Sequence, residues 1–339
     1  MESNELLNDD VQSTEQSASV GPKTKINAVT DINHAPIALE WRSRLISLGY
    51  DSSQVAIVVA DDASLQYFST SKEVRVEPLL HPSSKDWPVA DPKLKQQKRR
   101  RRLFATRWVY VLYQLRMGLS ILLTDVDNIF VRYLDMAEFE DSTYDVIHAY
   151  CHNFPIRFLS MGFVVCGGMM WLRGNDPGGN EDGPAVRYVL SILRQCQWHD
   201  SELKNQSQSE VEAALCDDQQ VINSKFFSNS LNYTWGKRPE KGFWKGEAWG
   251  NSSVTGHSFG FWSVEIAYRG PVDGFLDDEN DSDNNNGTFQ QKQCPNTDRS
   301  WVAMPYNTIQ SEKLNGSTDK LLRFKQWFQF CRNETNITA

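Results

Sequence analysis

Two carboxylates separated by one residue, Asp125 and Asp127, follow an apolar run within SILLTDVDNIFVR, residues 120–132. In an extended segment, residues two apart point to the same side, so both acids can face one ion. Oxygen ligands suit Mn²⁺ or Mg²⁺, and such an ion would in turn neutralise a diphosphate. Burying two acids a few ångströms apart is costly unless a cation compensates. The run ILLT delivers the pair at a strand's carboxyl end, where open α/β sheets bind ligands. The plainer alternative is two turn or capping acids after a strand. One class that uses a similar motif is the haloacid-dehalogenase-like phosphohydrolases, whose first Asp is a nucleophile. Those enzymes carry it on the first strand with Thr or Val four residues on, whereas here it lies mid-chain and position 129 is Ile.

The elements that must hold these acids alternate between strands and helices. Ile26–Val29 predicts a short strand ending in Thr30 and Asp31, and 38–48 (ALEWRSRLISL) a helix stopped by Gly49. Residues 55–60 (VAIVVA) predict a strand buried on both faces. A short helix over 63–68 and a strand over 74–76 follow. A long helix over about 94–117 carries Phe104, Trp108, Leu112 and Leu115 on one face and ends at Gly118. Its opening run, Lys98–Arg102, is read as a solvated helix face in preference to an anionic-partner patch or nuclear signal. Further core strands are expected over 121–123, 145–149 and 163–172, and a helix over 185–198. Alternation of this kind implies βαβ units and a mostly parallel sheet.

The expected layout is a disordered segment over 1–22, one α/β domain over 23–332 with a looser C-terminal part, and a tail over 333–339. The acidic, Asn-rich stretch 276–293 is expected to be a flexible insertion. The chain has 339 residues, a formal charge of −8 and 12% aromatics, among them eleven Trp. That aromatic content excludes a disordered chain, and the acidic balance argues against a nucleic-acid partner. No run of about 18 apolar residues encodes a membrane span. Eight N-glycosylation sequons, at Asn205, Asn232, Asn251, Asn280, Asn286, Asn315, Asn333 and Asn336, together with an even count of six cysteines, point toward the secretory lumen.

Several pieces in order resemble a known family. EWRSRLISLGYDSSQVAIVVADDASLQYF resembles its helix and acid-terminated strand, and RWVYVLYQLRMGLSILLTDVDNIFVR is the closest match. FVVCGGMMWLRGN resembles its Gly-centred strand with a following Arg, and CDDQQVINSKF its Asp-Gln followed shortly by Asn. The chain is similar, over about residues 24–330, to the nucleotide-diphospho-sugar transferases, in particular plant and algal glycosyltransferase family 77. The resemblance implies a GT-A, Rossmann-like three-layer α/β fold and transfer of a sugar from a UDP-sugar donor to a glycan or glycoprotein acceptor, with retention.

It also implies roles. Asp125 and Asp127 would hold Mn²⁺ (or Mg²⁺), Thr30 and Asp31 would lie near the nucleobase and ribose, and Arg107 would meet the donor's phosphate or sugar. From its position alone, Arg107 reads equally as a helix-surface ion pair. Gly167 and Gly168 would allow close approach to the donor sugar, with a strand bulge as the alternative. Asp218 and Gln219 would stabilise charge at the anomeric carbon. Relatives carry a late His as a further metal ligand; VAMPYNTI has Pro305 there, so Asn307 becomes the expected third ligand. That departure leaves a second reading, a degenerate fold acting as a binding or scaffold subunit.

Overall fold

The computed structural model describes residues 24–59, 62–70, 76–78, 103–104, 107–151, 163–175, 182–195, 218–227, 229–238, 248–263, 266–271 and 301–306. Each of the early apolar runs is a strand: β1 (Thr24–Thr30), β2 (Val55–Val59) and, after α3, β4 (Ser120–Thr124). Between them lie α1 (Ala35–Ser47), α2 (Asp62–Ser69), β3 (Val76–Pro78) and α3 (residues 107–116). The chain leaves α1 through Gly49 and α3 through Gly118, at φ +103° and +81°, so a glycine serves each helix end. Next come β5 (Ile129–Phe130), the single turn α4 (Ala137–Glu140), β6 (Val146–Cys151), β7 (Val164–Leu172) and α5 (Pro184–Gln195). The last described elements are α6 (Asp218–Phe227), β8 (Tyr233–Lys237), β9 (Ala248–Ser252), β10 (Ser258–Phe261), β11 (Ala267–Pro271) and β12 (Val302–Tyr306).

Among the described residues, nine strands form one sheet in the order β3-β2-β1-β4-β7-β6-β10-β9-β8. The first four pair in parallel, β7 runs antiparallel to both β4 and β6, and β9 runs antiparallel to both β10 and β8. Because β6 and β10 pair in parallel, seven of the nine strands point one way and only β7 and β9 are reversed. Apolar layers cover both faces. On one, α1, α2 and the small sheet β11-β12-β5 pack Trp41, Leu45, Phe68, Phe130 and Trp301 against Leu122 and Trp171. On the other, α3, α5 and α6 pack Trp108, Leu115, Tyr188 and Phe226 against Ile121, Leu123 and Met170. The result is the expected three-layer α/β fold.

After α6, the described residues include β8, β9 and β10, which extend the main sheet, with Phe259 and Phe261 fully or almost fully buried. Gly236, Gly250 and Gly260 interrupt these strands and hide their alternation. The segments 1–22, 276–293 and 333–339 lie outside the described residues, as do Lys98–Arg102 and six of the eight sequons.

Candidate donor site

The apolar face of α3 sets the site. Trp108, Val111 and Leu115 are buried in the second layer, and seating that face on the sheet draws Arg107 to 3% exposure. A buried guanidinium needs partners. Arg107 donates from Nη1 to Asp125 Oδ1 at 2.9 Å and from Nη2 to the Gly167 carbonyl at 2.9 Å. Its Cζ also stands 5.2 Å from the Phe104 ring centroid. Arg107 is therefore neither on the helix surface nor aimed outward; it clasps the end of β4 to β7. Asp125 keeps 47% of its side chain exposed, so it remains accessible to a ligand.

The turn after β4 is fixed from the same strand. The Gly168 carbonyl accepts from Asp125 N at 2.8 Å and from Asn128 Nδ2 at 2.9 Å, and Nδ2 also donates to Thr124 Oγ1 at 2.9 Å. A side chain at position 168 would put its Cβ 1.9 Å from Asp125 Oδ2. The close approach that demands glycine is thus made by Asp125 itself. Asn128, 7% exposed, escaped the sequence reading because an Asn in a turn has many commoner uses.

Thr30 and Asp31 emerge from the neighbouring strand, since β1 pairs with β4 through Ala28 and Thr124. Thr30 is 1% exposed, and its hydroxyl donates to the Asp31 carbonyl at 3.2 Å. Asp31 Oδ1 caps the following 3-10 turn by accepting from Asn33 N at 3.1 Å and His34 N at 3.2 Å, with His34 Nδ1 at 2.7 Å. A cleft of about 520 Å³ opens beside this turn, with Ile32, Leu39, Gln66 and Tyr67 among its walls.

Asp218 opens α6, and Gln219 Nε2 lies 2.9 Å from Cys151 Sγ at the carboxyl end of β6. Asn223, 0% exposed, anchors that helix: its Oδ1 accepts from Val165 N at 2.8 Å, while Nδ2 donates to Val165 O at 3.0 Å and Gln219 O at 2.6 Å. It is the Asn of the DQQVIN segment, and its work is to fix where the preceding Gln stands. Arg173, by contrast, lies at the far end of β7, where it donates to the carbonyls of Glu140, Ser142 and Tyr144 as a structural clamp.

The last strand returns to the acidic turn. β12 runs antiparallel to β5, pairing Val302 with Phe130 and Ala303 with Ile129, and continues three residues toward the Asp127 side. Pro305 is what the chain delivers there; Asn307, one residue past β12, lies outside the described residues. Among the described residues, no group of three or more His, Cys, Asp or Glu could hold a metal. Two hard carboxylates on one turn nevertheless fit a Mg²⁺- or Mn²⁺-type ion that completes its shell with substrate phosphates and water. Arg107, Asp125, Gly167 and Gly168 are thus in direct contact. Asp127, Thr30 and Asp31 are on adjacent strand ends, and Gln219 is on the same edge of the sheet beyond β7.

No curated protein matches the chain. Three solved structures similar to it are a galactosyltransferase LgtC in complex with donor and acceptor sugar analogues, the WbbM bifunctional glycosyltransferase, and mouse xyloside xylosyltransferase 1. The first is 9% identical with a TM-score of 0.36 over 72% of this chain and 75% of its own. WbbM is 9% identical with a TM-score of 0.37 over 77% of this chain and 42% of its own. The mouse enzyme is 11% identical with a TM-score of 0.36 over 73% of this chain and 87% of its own. The model of the nucleotide-diphospho-sugar transferase family matches residues 53–180. Those residues hold β2 through β7 and with them Arg107, Asp125, Asp127, Gly167 and Gly168; over this stretch the chain matches the nucleotide-diphospho-sugar transferase family, which supports reading it as a glycosyltransferase.

Proposed function

We propose that the chain transfers a sugar of the xylose, arabinose or galactose class from a UDP-sugar to a glycan or glycoprotein acceptor, with metal dependence and retention of anomeric configuration. The observation that carries this reading is the half-exposed Asp125 held by a buried Arg107 at the carboxyl end of β4. Asp125 and Asp127 would hold the ion, with Asn307 as a third ligand. When bound, the ion would neutralise the donor diphosphate and assist its departure as a Lewis acid.

The chain's own groups do the positioning. Arg107 holds Asp125 in one orientation, and Asn128 holds the turn, so little reorganisation is needed when the diphosphate arrives. Thr30 and Asp31 fit a place beside the nucleoside, next to the cleft between α1 and α2. Gly167 and Gly168 would allow the donor sugar to approach β7 closely. Asp218 and Gln219, anchored through Asn223, would flank the anomeric carbon and stabilise its positive charge. Retention needs no protein nucleophile if the leaving phosphate assists the acceptor hydroxyl on the same face.

The sequons support a place in the lumen of the secretory pathway, such as the Golgi. No helix among the described residues is long and apolar enough to cross a membrane. A second reading, a binding subunit without turnover, is favoured by one observation: proline at position 305. Calorimetry of UDP, with Mn²⁺ and with chelator, tests the site beside an Asp125→Ala/Asp127→Ala variant. Binding that requires both the metal and the aspartates is expected. Binding that survives chelation and the double variant would sink the metal-dependent donor site. Tight metal-dependent binding without turnover of any UDP-sugar would select the subunit reading.

A further inference from the structure

A separate face of the molecule, four strands along the sheet from β4, carries a second feature. Along β9 the burial alternates, with Ala248, Gly250 and Ser252 inward and Trp249 and Asn251 outward. Residues two apart on a strand share a face and lie roughly 6.5 Å apart along it. Trp249 keeps 36% exposure although it lies on a paired strand. Its indole covers Gly236 of β8 so closely that a Cβ there would come within 2.2 Å of Nε1 and 2.6 Å of Cδ1. Glycine at 236 therefore leaves the room that the ring occupies against β8. Lys237 Nζ, 5.7 Å from the ring centroid, is an exposed and flexible neighbour that a better partner can displace.

Asn251 begins the sequon Asn251-Ser252-Ser253. Both Asn251 and Ser253 are exposed, and so is Thr234, which pairs across from Asn251. We infer that Asn251 is an N-glycosylation site whose first sugar stacks on Trp249. The amide Nδ2 of Asn251 forms a bond to the anomeric carbon of a lipid-linked pyrophosphate oligosaccharide. The carbon–oxygen bond to the pyrophosphate breaks, the lipid pyrophosphate leaves with the electron pair, and one amide proton passes to the transferring enzyme's base. An N-acetylhexosamine presents a face of C–H groups, and a part-exposed indole two residues away on the same strand face is placed to take that face out of water. Asn232 supplies an internal contrast. It is also an exposed sequon asparagine, yet Ser230, not an aromatic residue, stands two positions before it.

This inference rests on the luminal placement above and not on the donor site. The full chain is expressed behind a secretory leader in a eukaryotic cell, and occupancy at each sequon is read by glycopeptide mass spectrometry. Asn251 is expected to be occupied in most molecules. Thermal unfolding of Asn251→Gln is then compared with its parent in the Trp249 and Trp249→Ala backgrounds. Loss of the glycan is expected to lower Tm by about 2–3 °C with Trp249 present. It should lower Tm by less than half as much without Trp249, with Trp249→Phe in between. The same cycle at Asn232 should show no dependence on Trp249. An unmodified Asn251 beside occupied sequons overturns the inference, as does a glycan whose effect on Tm is the same in both backgrounds. An absence of glycan at every sequon overturns it through the luminal placement, while the UDP titration, independent of both, still reports on the donor site.

Discussion

Two regions of the sheet treat titratable side chains in opposite ways. At the carboxyl ends of β1 and β4, ionisable side chains are paired and left open: Arg107 is buried yet paired, and Asp125 stays half-exposed. Beneath α5 and α6, charge is removed. His148, 0% exposed, sits among Tyr188, Phe226 and Phe261, and its ring nitrogens have no hydrogen-bond partner among the described residues. His257 is equally buried, with Nδ1 on the Thr255 hydroxyl and its ring 4.7 Å from Tyr188. Desolvation lowers both imidazoles from 6.5 to about 3; His257 adds to the effect on His148, and Arg187 to that on His257. The difference shows that the ionisable groups at the site are given a partner and an opening, whereas the two histidines used for packing are made neutral by burial.

Acid breaks this contrast most strongly. Between pH 7 and pH 5 the unfolded chain protonates both histidines and the folded chain protonates neither, so stability falls as pH falls through 6.5 and levels off only near the folded values of about 3. The pair is expected to cost about 4 kcal/mol of stability at pH 5 relative to pH 7. Urea melts at the two pH values check it, and a His148→Leu/His257→Phe variant should flatten the profile. A parent protein equally stable at both would show that the rings are not held neutral.

At the other region, Arg107→Met should lower sugar transfer roughly 10²–10³-fold by freeing Asp125, the scale of losing one preorganised electrostatic partner. Arg107→Lys should not restore it, because an ammonium cannot span both Asp125 and the Gly167 carbonyl as the fork does. Steady-state rates with UDP-sugar decide this, and full activity of the Lys variant would contradict the clasp.

A smaller effect is expected at Asn223. Replacement by Leu strands both polar groups of Val165 and should cost about 2–3 kcal/mol in thermal or urea unfolding, with weaker donor binding as Gln219 loses its anchor. The smallest effect belongs to Arg116, at the other end of α3. Its pair with Asp182 is about half exposed, so Arg116→Ala should change stability by about 0.2–1 kcal/mol and leave transfer untouched. One helix thus carries an arginine that matters and one that does not, and a double comparison of the two variants measures how much burial decides.

How much of this was legible follows from the same physics. The strands at 55–59, 121–123 and 163–172 carry no polar side chain because both faces are covered, so they could be read directly, as could 26–29 despite its one buried polar residue, Asn27. Segments such as YTWGK, AWGNS and SFGF could not, because glycines stand where alternation would show and the strands are short. The long helix was read from its apolar face, but only residues 103–104 and 107–116 of it are described.

By itself the sequence determined the layered α/β class, the Asp125/Asp127 turn at a strand end and the family's ordered motifs, since these depend on local patterns of burial and on short spacings. Only the tertiary structure decided what Arg107 holds, why position 168 must be glycine, that Asn128 and Asn223 are brackets, and that Trp249 lies against Gly236. Each of those joins residues brought together by strand pairing or helix docking. A contact across 18, 40 or 58 residues leaves no periodic trace in the chain.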